Sequence, residues 1–231
     1  MLPLADHNPR RITPFVNYAL IAVNVLMFLW EWSLGPDLER ELFIVSFVPA
    51  RFWIAPFSPP NLIRILISMF LHGGWLHLGG NMLYLWIFGD NIEDRLGHFR
   101  YLLFYLLSGL VATMAHAIVN PDSRLPAIGA SGAIAGVLGA YLILFPRARV
   151  TTLIPIIVFV TVRELPAVFV LGLWFVLQFF VGVASLGVPE AAGTAYFAHI
   201  GGFLAGMLLV VLMGGLRQRP PPPVSFDEYW R

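Results

Sequence analysis

The sequence has no cysteine and no lysine, and it has few charged residues of any kind. Without cysteine, neither a disulfide nor a thiolate metal site can form. Charged residues make up 12% of the 231 positions, whereas ordinary soluble domains carry about 25%. Hydrophobic residues make up 58%, and the mean hydropathy is +0.79. This composition predicts a membrane protein that crosses the bilayer several times.

The positive charge is thinly spread. All 14 basic residues are arginine, they are scattered along the chain, and the formal net charge is +1. A nucleic-acid interface needs a dense basic patch, so we expect no nucleic-acid partner. Residues 1–13 are polar, and no small-residue cleavage pattern follows the first apolar run. We therefore expect that run to stay as an anchor instead of being removed as a signal peptide.

Six apolar stretches approach the length of about 20 residues that spans a bilayer as a helix. They are residues 14–34, 75–92, 99–119, 131–145, 167–184 and 194–214. The sequence therefore predicts an all-α polytopic membrane protein with one six-helix membrane domain over residues 14–214. A cytoplasmic segment, residues 1–13, precedes this domain, and a disordered Pro-rich cytoplasmic tail, residues 215–231, follows it.

Two connecting segments are apolar in part. Residues 35–70 contain five prolines and only short apolar patches, which predicts a long interfacial loop with short helices. Residues 150–160 are interrupted by Pro155, and we interpret them as a surface-lying or dipping connection.

Arginine placement predicts the orientation. With six spans, ten of the 14 arginines fall on the side of the two termini. The positive-inside tendency places that side in the cytoplasm, so the 35–70 loop and the start of the fourth span face outward. Arginine without lysine, and the lack of a targeting segment, favour a prokaryotic plasma membrane.

Ser131 stands between two glycines where a polar loop meets the fourth apolar stretch. Serine at a helix start is commonly an N-cap, because its oxygen accepts an orphan backbone N–H. The alternative is a nucleophile, which needs a base within hydrogen-bond reach. The residues around Ser131 alone favour the N-cap. Polar residues elsewhere in the chain favour the nucleophile.

Polar side chains inside spans are costly and tend to mark function. His77 and Asn81 share one face of the second span, and His199 lies early in the sixth. Small residues at Gly132 and Gly136, and at Gly202 and Gly206, would let the fourth and sixth helices approach closely. That packing would bring the Ser131 hydroxyl and the His199 imidazole to a similar depth.

These residues suggest a serine–histidine dyad. No intramembrane acid is expected to orient His199, because Asp90 and Glu93 lie at the opposite end of the second span. The nearest outer acids, Asp122 and Glu190, are expected in loops. His77, Asn81 and the Ser131 backbone N–H could stabilise a developing oxyanion. The plain alternative is that the histidines and Asn81 only hydrogen-bond between helices. We interpret His72 and His116 as structural or interfacial, and His72 could also help to bind substrate or lipid.

Four motifs resemble those of the rhomboid intramembrane serine proteases. HGGWLHLGGN at residues 72–81 is similar to the segment that bears the family's HxxxN, and GDNIEDRLG at residues 89–97 to its GxxxExxxG. GASG at residues 129–132 resembles its GxSG, and AHIGGFLAG at residues 198–206 its AHxxGxxxG. The family's Trp-Arg motif is absent from the 35–70 loop, where Arg51-Phe52-Trp53 stands instead.

The resemblance implies a six-transmembrane-helix rhomboid-like bundle with a Ser131/His199 dyad open to the outer face. It implies an oxyanion site made by His77 and Asn81, and a structural hydrogen-bonding role for Glu93. It also places Gly129, Gly132, Gly202 and Gly206 near the site.

The expected activity is serine endopeptidase cleavage in or near transmembrane segments of single-span or polytopic membrane-protein substrates, within the lipid bilayer. Neither metal nor cofactor is expected. The rival hypotheses are a catalytically silent binder or chaperone of membrane helices, and a transporter or channel with a polar path. The joint presence of Ser131 and His199 counts against the binder. A transporter would be expected to show paired broken helices, and none are visible.

Overall fold

The structure, a computed structural model, describes residues 1–156, 159–186 and 195–216. Glu190 and residues 217–231 of the predicted tail lie outside these described residues. Within them the chain is mostly helical. The helices are α1 (Phe15–Ser33), α2 (Leu38–Val45), α3 (Pro49–Ile54), α4 (Pro59–Ser68), α5 (Trp75–Leu96), α6 (His98–Val119), α7 (Ser131–Leu144), α8 (Ala167–Ala184) and α9 (Tyr196–Leu212).

One helix lies over each predicted span, and its bounds agree with the prediction to within four residues. The fifth predicted span, residues 167–184, coincides with α8 at both ends. Three described helices are long and apolar enough to cross a bilayer, namely α1, α6 and α8. α7 and α9 are apolar but shorter, and α5 carries four charged residues in its last two turns. The prediction of a helical membrane bundle is confirmed, whereas the count of six spans stays a prediction.

The long segment between α1 and α5 forms short helices, as the prolines predicted. Pro49 and Pro59 each stand at the first position of a helix, where the missing N–H costs nothing. Trp53 donates its indole N–H to the Ala117 carbonyl of α6, at 3.0 Å. Arg51 donates to the carbonyls of Phe43 and Ser46. A tryptophan and an arginine therefore tie this segment together although the Trp-Arg dipeptide is absent.

The connection of residues 150–160, predicted to lie on the surface or dip into the membrane, belongs to a β-hairpin, a structure that the sequence analysis does not predict. β2 (Arg149–Ile156) pairs antiparallel with β3 (Phe159–Pro166), from Arg149 opposite Pro166 to Ile156 opposite Phe159. Valine, threonine and isoleucine are frequent in the hairpin, and β-branched residues favour strands. The interpretation of this connection used only its length and apolarity, and so it did not predict the strands.

A third strand comes from the other end of the chain. β1 (Leu2–Asp6) adds to the free edge of β2, giving the order β1-β2-β3, with Leu2 opposite Leu153 and Asp6 opposite Val150. The sequence analysis describes residues 1–13 only as a polar cytoplasmic segment and predicts no strand there. The pairing joins segments that lie far apart in the chain, so no short stretch of sequence indicates it.

α7 is the centre of the bundle. Every residue from Gly132 to Tyr141 is buried, and α7 packs against α5, α6 and α9. A helix surrounded by neighbours has no polar face, which explains its run of small and apolar residues.

α7 and α9 meet backbone to backbone, as their small-residue spacing predicted. A Cβ at Gly202 would overlap the Gly132 carbonyl, and one at Gly206 would overlap the backbone of Gly136. Glycine is required at these positions because another helix occupies the space of the side chain. This contact fixes the separation of Ser131 and His199, which lie at the same end of the two helices.

Candidate active site

Ser131 is the first residue of α7, and it does not cap the helix. The N-cap residue is Ala130, and no side chain caps this helix start. The N-cap interpretation of Ser131 is therefore wrong. Gly129 just before it has φ +129°, a conformation that favours glycine, and its N–H donates to the Ser68 carbonyl at 2.9 Å. This loop geometry leaves the Ser131 hydroxyl free to face α9.

The hydroxyl of Ser131 lies against the imidazole of His199. The distance from Ser131 Oγ to His199 Nε2 is 2.8 Å, across 68 residues of sequence. His199 is 9% exposed, and its ring lies 5.8 Å from that of Trp174 and 6.5 Å from that of Tyr196. A hydroxyl and an imidazole in this contact have the geometry of a nucleophile and its general base.

The other ring nitrogen of His199 also has a partner. His199 Nδ1 lies 2.7 Å from Oε1 of Gln178 on α8. Sequence reasoning missed Gln178 and expected a dyad with no third member. A signal was available in the sequence, because Gln178 is the one amide, acid, base or hydroxyl side chain in the otherwise apolar α8.

His77 borders the same space from α5. A Cβ placed on Gly129 would lie 2.9 Å from His77 Nε2 and 3.5 Å from Ser131 Oγ. The missing side chain of Gly129 therefore leaves a gap that the imidazole and the hydroxyl both face. His77 Nδ1 accepts the backbone N–H of Gly73 at 3.4 Å, which leaves Nε2 directed toward this gap.

Asn81 lies one turn further along α5 and is 8% exposed. Its Nδ2 lies 3.0 Å from Nε2 of His72, in the loop before α5. Burial, with a smaller contribution from His77, lowers the pKa of His72 to about 4, so the His72 ring is neutral and can accept this bond. An amide NH₂ has two donors, and the second remains for another acceptor. The structure thus places Asn81 against His72, not against Ser131.

One intramembrane acid was overlooked. Glu31 in α1 is 1% exposed and accepts the backbone N–H of His72 at 3.0 Å and 3.1 Å from its two oxygens. It fixes the loop before α5, whereas the Nδ1 partner of His199 is an amide. Glu31 is thus an acid within a predicted span, and its described partner is the backbone of His72.

Glu93 lies at the opposite end of α5. Its carboxylate accepts the backbone N–H groups of Val16 at 3.0 Å and Asn17 at 2.7 Å, which belong to the first turn of α1. His98 Nδ1 lies 2.5 Å from the same carboxylate. This geometry is that of a structural acid that caps a helix, remote from Ser131.

The described residues contain no group of three or more His, Asp or Glu side chains that could hold a metal ion. Within the bundle the site joins the hydroxyl of Ser131, the imidazole of His199 and the amide of Gln178, and His77 of α5 borders it at Gly129. The fold and these residues define an integral membrane protein with a partly buried serine–histidine pair.

Comparison with known proteins gives the family. Residues 59–216 match the model of the Rhomboid domain. This chain belongs to the rhomboid family.

Three similar proteins also carry rhomboid names. The chain is 32% identical over 197 residues to Rhomboid protein 1, mitochondrial, of Saccharomyces cerevisiae, covering 83% of this chain and 51% of the relative. It is 35% identical over 129 residues to Rhomboid protease GluP of Bacillus subtilis, covering 56% of this chain and 24% of the relative. It is 30% identical over 175 residues to the human Presenilin-associated rhomboid-like protein, mitochondrial, covering 73% and 44%.

These relatives bear on two expectations. The chain spans about half or less of the length of each relative, so their whole activities do not transfer directly. Their names include mitochondrial proteins as well as one from a bacterium, so the comparisons do not favour the prokaryotic plasma membrane. The integral membrane location stands.

Proposed function

We propose that this chain is an intramembrane serine endopeptidase that hydrolyses peptide bonds in or near transmembrane segments of membrane-protein substrates. The observation that carries the proposal is the 2.8 Å contact between Ser131 Oγ and His199 Nε2 inside a helical membrane bundle. Family membership adds support, since one relative carries the name protease.

The two residues divide the chemistry between them. His199 Nε2 takes the proton of the Ser131 hydroxyl as Oγ attacks the scissile carbonyl carbon. The protonated imidazole then gives that proton to the leaving amine, and the peptide C–N bond breaks. Water attacks the resulting ester with His199 again as base, and the proton passes to Ser131 Oγ as the acid product leaves.

His77, Asn81 and the Ser131 backbone N–H are the proposed donors to the oxyanion. His77 Nε2 faces the gap at Gly129, and Asn81 has a donor left after its contact with His72. Donors fixed in place before the charge develops stabilise the transition state without reorganisation.

The substrate must present an extended backbone to Ser131. A transmembrane helix hides its carbonyls in i→i−4 hydrogen bonds, so the scissile segment has to unwind locally. Glycine and proline weaken a helix, and we expect them near the cleaved bond. Single-span or polytopic membrane proteins are the corresponding substrate class.

The orientation follows from the arginines. Arg10 pairs with Asp90, Arg95 donates to the Gly215 carbonyl, and Arg149 begins β2. These arginines lie at the Glu93 end of the bundle, and the positive-inside tendency leads us to assign that end to the cytoplasm. The Ser131 end then faces outward, where water for hydrolysis is available.

Cleavage of a single-span reporter by the purified protein tests this function. Wild type is compared with Ser131→Ala and His199→Ala, and a fluorophosphonate probe reports the activated serine separately. We expect both variants to lose about 10⁴-fold or more in cleavage rate and Ser131→Ala to lose labelling, with unchanged folding.

Cleavage that persists in Ser131→Ala would assign the activity to another nucleophile or a contaminant and refute the site. Wild-type protein that neither cleaves nor labels would favour the alternative, a catalytically silent binder of membrane helices.

A further inference from the structure

Both ring nitrogens of His199 are engaged, and the second contact has a chemical consequence. His199 Nε2 faces Ser131 Oγ at 2.8 Å, and Nδ1 faces Gln178 Oε1 at 2.7 Å. The three side chains form one line through a ring that is 9% exposed. Burial leaves little room for solvent to replace either partner.

The packing of α8 explains how an amide comes to this position. The buried residues of α8 include Val170, Leu171 and Gly182. Gln178 follows Leu171 at i+7 and precedes Gly182 at i+4, so it shares their helix face. Its neighbours Leu177 and Phe179 are 53% and 46% exposed. The amide therefore points into the bundle, where it avoids the cost of a polar group in lipid.

The proton on His199 must be on a defined nitrogen for catalysis. A neutral imidazole carries one N–H, and the hydrogen bond made by one nitrogen decides which tautomer is present. Nε2 can accept the Ser131 proton only if the ring proton is on Nδ1. The carbonyl oxygen of Gln178 accepts a hydrogen bond and so favours that tautomer.

We propose that Gln178 is the positioning residue of His199, holding its ring and its Nδ1–H tautomer through a neutral amide. The proposal rests on the proposed function for its catalytic meaning. An aspartate in this position would both orient the ring and stabilise the imidazolium. Gln178 supplies orientation without negative charge, so the pH dependence of this site differs from that of a carboxylate triad.

Three variants separate these effects in the full-length protein. Gln178→Leu removes the acceptor at similar size, Gln178→Glu supplies a carboxylate acceptor, and Phe180→Leu is the control on the exposed side of α8, where Phe180 is 65% exposed. Thermal unfolding in detergent checks that each variant folds. Reporter cleavage from about pH 5 to pH 9, across the range in which histidine titrates, and the rate of fluorophosphonate labelling measure the site.

We expect Gln178→Leu to lose about 10- to 100-fold in kcat and in labelling rate with KM nearly unchanged, the range typical of removing a group that orients a metal-bound histidine. In Gln178→Glu the acid limb of the pH profile should move to higher pH, because a carboxylate stabilises protonated His199. Phe180→Leu should behave as wild type.

A second readout does not depend on activity. Nitrogen-15 NMR of protein labelled at histidine reports which ring nitrogen carries the proton, and His199→Ala identifies the signal. Both proteins in this comparison carry the inactivating change Ser131→Ala. We expect the Nδ1–H tautomer where Gln178 is intact and a mixture of the two tautomers in Gln178→Leu.

The outcomes are distinct. An unchanged tautomer in Gln178→Leu, or wild-type rates and pH profile in that variant, would overturn the role of Gln178 while leaving the protease proposal intact. A wild-type protein without cleavage or labelling would refute the proposed function, yet the tautomer measurement would still decide whether Gln178 positions His199.

Discussion

The two ends of the bundle use polar residues differently. The Ser131 end contains His199, Gln178, His77 and Asn81, and the Glu93 end contains Asp6, Asp90, Arg10, Asn91 and Tyr141. α7 joins them, since Ser131 and Tyr141 lie ten residues apart, about 15 Å along the helix.

At the Glu93 end, charged groups connect the N-terminal segment to the helices. Arg10 pairs with Asp90 at 2.8 Å, and Asp6 accepts hydrogen bonds from Tyr141 at 2.7 Å and from Asn91 at 3.1 Å. Asp94 accepts the backbone N–H groups of residues 11 and 12. Several bonds converge on each group, so this end serves as an anchor.

At the Ser131 end, the hydroxyl, imidazole and amide side chains form short hydrogen-bonded chains. Ser131, His199 and Gln178 make one chain, and His72 and Asn81 make another. A proton can move along the first chain without breaking a structural ion pair. The comparison suggests that stability is concentrated at one end and chemistry at the other.

Two buried asparagines of α5 give the sharpest test of this division. Asn81→Ala should lower kcat by about 10²- to 10³-fold, as for loss of one oxyanion donor, with little change in melting temperature. Asn91→Ala, the matched change at the Glu93 end, should leave the rate per folded molecule unchanged and loosen the N-terminal segment. Equal rate losses in the two variants would contradict the division.

Glu93→Gln should destabilise the protein by about 1–3 kcal/mol, because the backbone N–H groups of Val16 and Asn17 lose a charged acceptor in a buried place. Thermal unfolding in detergent measures this, and Glu39→Gln on exposed α2 is the control. Labelling of Ser131 in the folded fraction should persist. If this variant were as stable as wild type, Glu93 would not contribute to the stability of this end of the bundle.

Gly206→Ala should also destabilise, by about 1–3 kcal/mol, because its Cβ would overlap the backbone of Gly136. Separation of α7 from α9 should slow labelling as well. Gly172→Ala is the matched control, since a Cβ there meets nothing within 4 Å. Similar melting temperatures for both variants would show that α7 and α9 do not need this close contact.

The smallest expected effect is a pH dependence of stability that arises from Asp6. Burial raises the pKa of Asp6 from 3.8 to about 6, against an opposing hydrogen bond from Tyr141 and with a smaller contribution from Asp90 that also raises it. The folded protein thus holds this proton more tightly than the unfolded chain, so stability falls as pH rises from about 4 to 6.

Asp6→Asn should flatten that pH dependence. Hydrogen exchange of the β1 and β2 amides measures it, because Asp6 ends β1. We expect wild-type protection to decrease between about pH 4 and pH 6 and the variant to change less. An equal slope in the two proteins would show that Asp6 does not titrate in this range.

The sequence determined the positions of the long helices, because apolar runs of bilayer length and their flanking breaks are local features. It also indicated the α7–α9 contact, since glycines four residues apart leave a groove on any helix that bears them. The motifs around Ser131 and His199 were visible for the same reason: each is a short run of adjacent residues.

Only the tertiary structure decided which distant residues meet. Gln178 meets His199 because α8 packs beside α9, and Glu31 meets His72 because α1 packs beside α5. The pairing of β1 with β2 likewise joins distant segments. Such contacts depend on the relative placement of whole elements, and the sequence of either partner alone does not encode that placement.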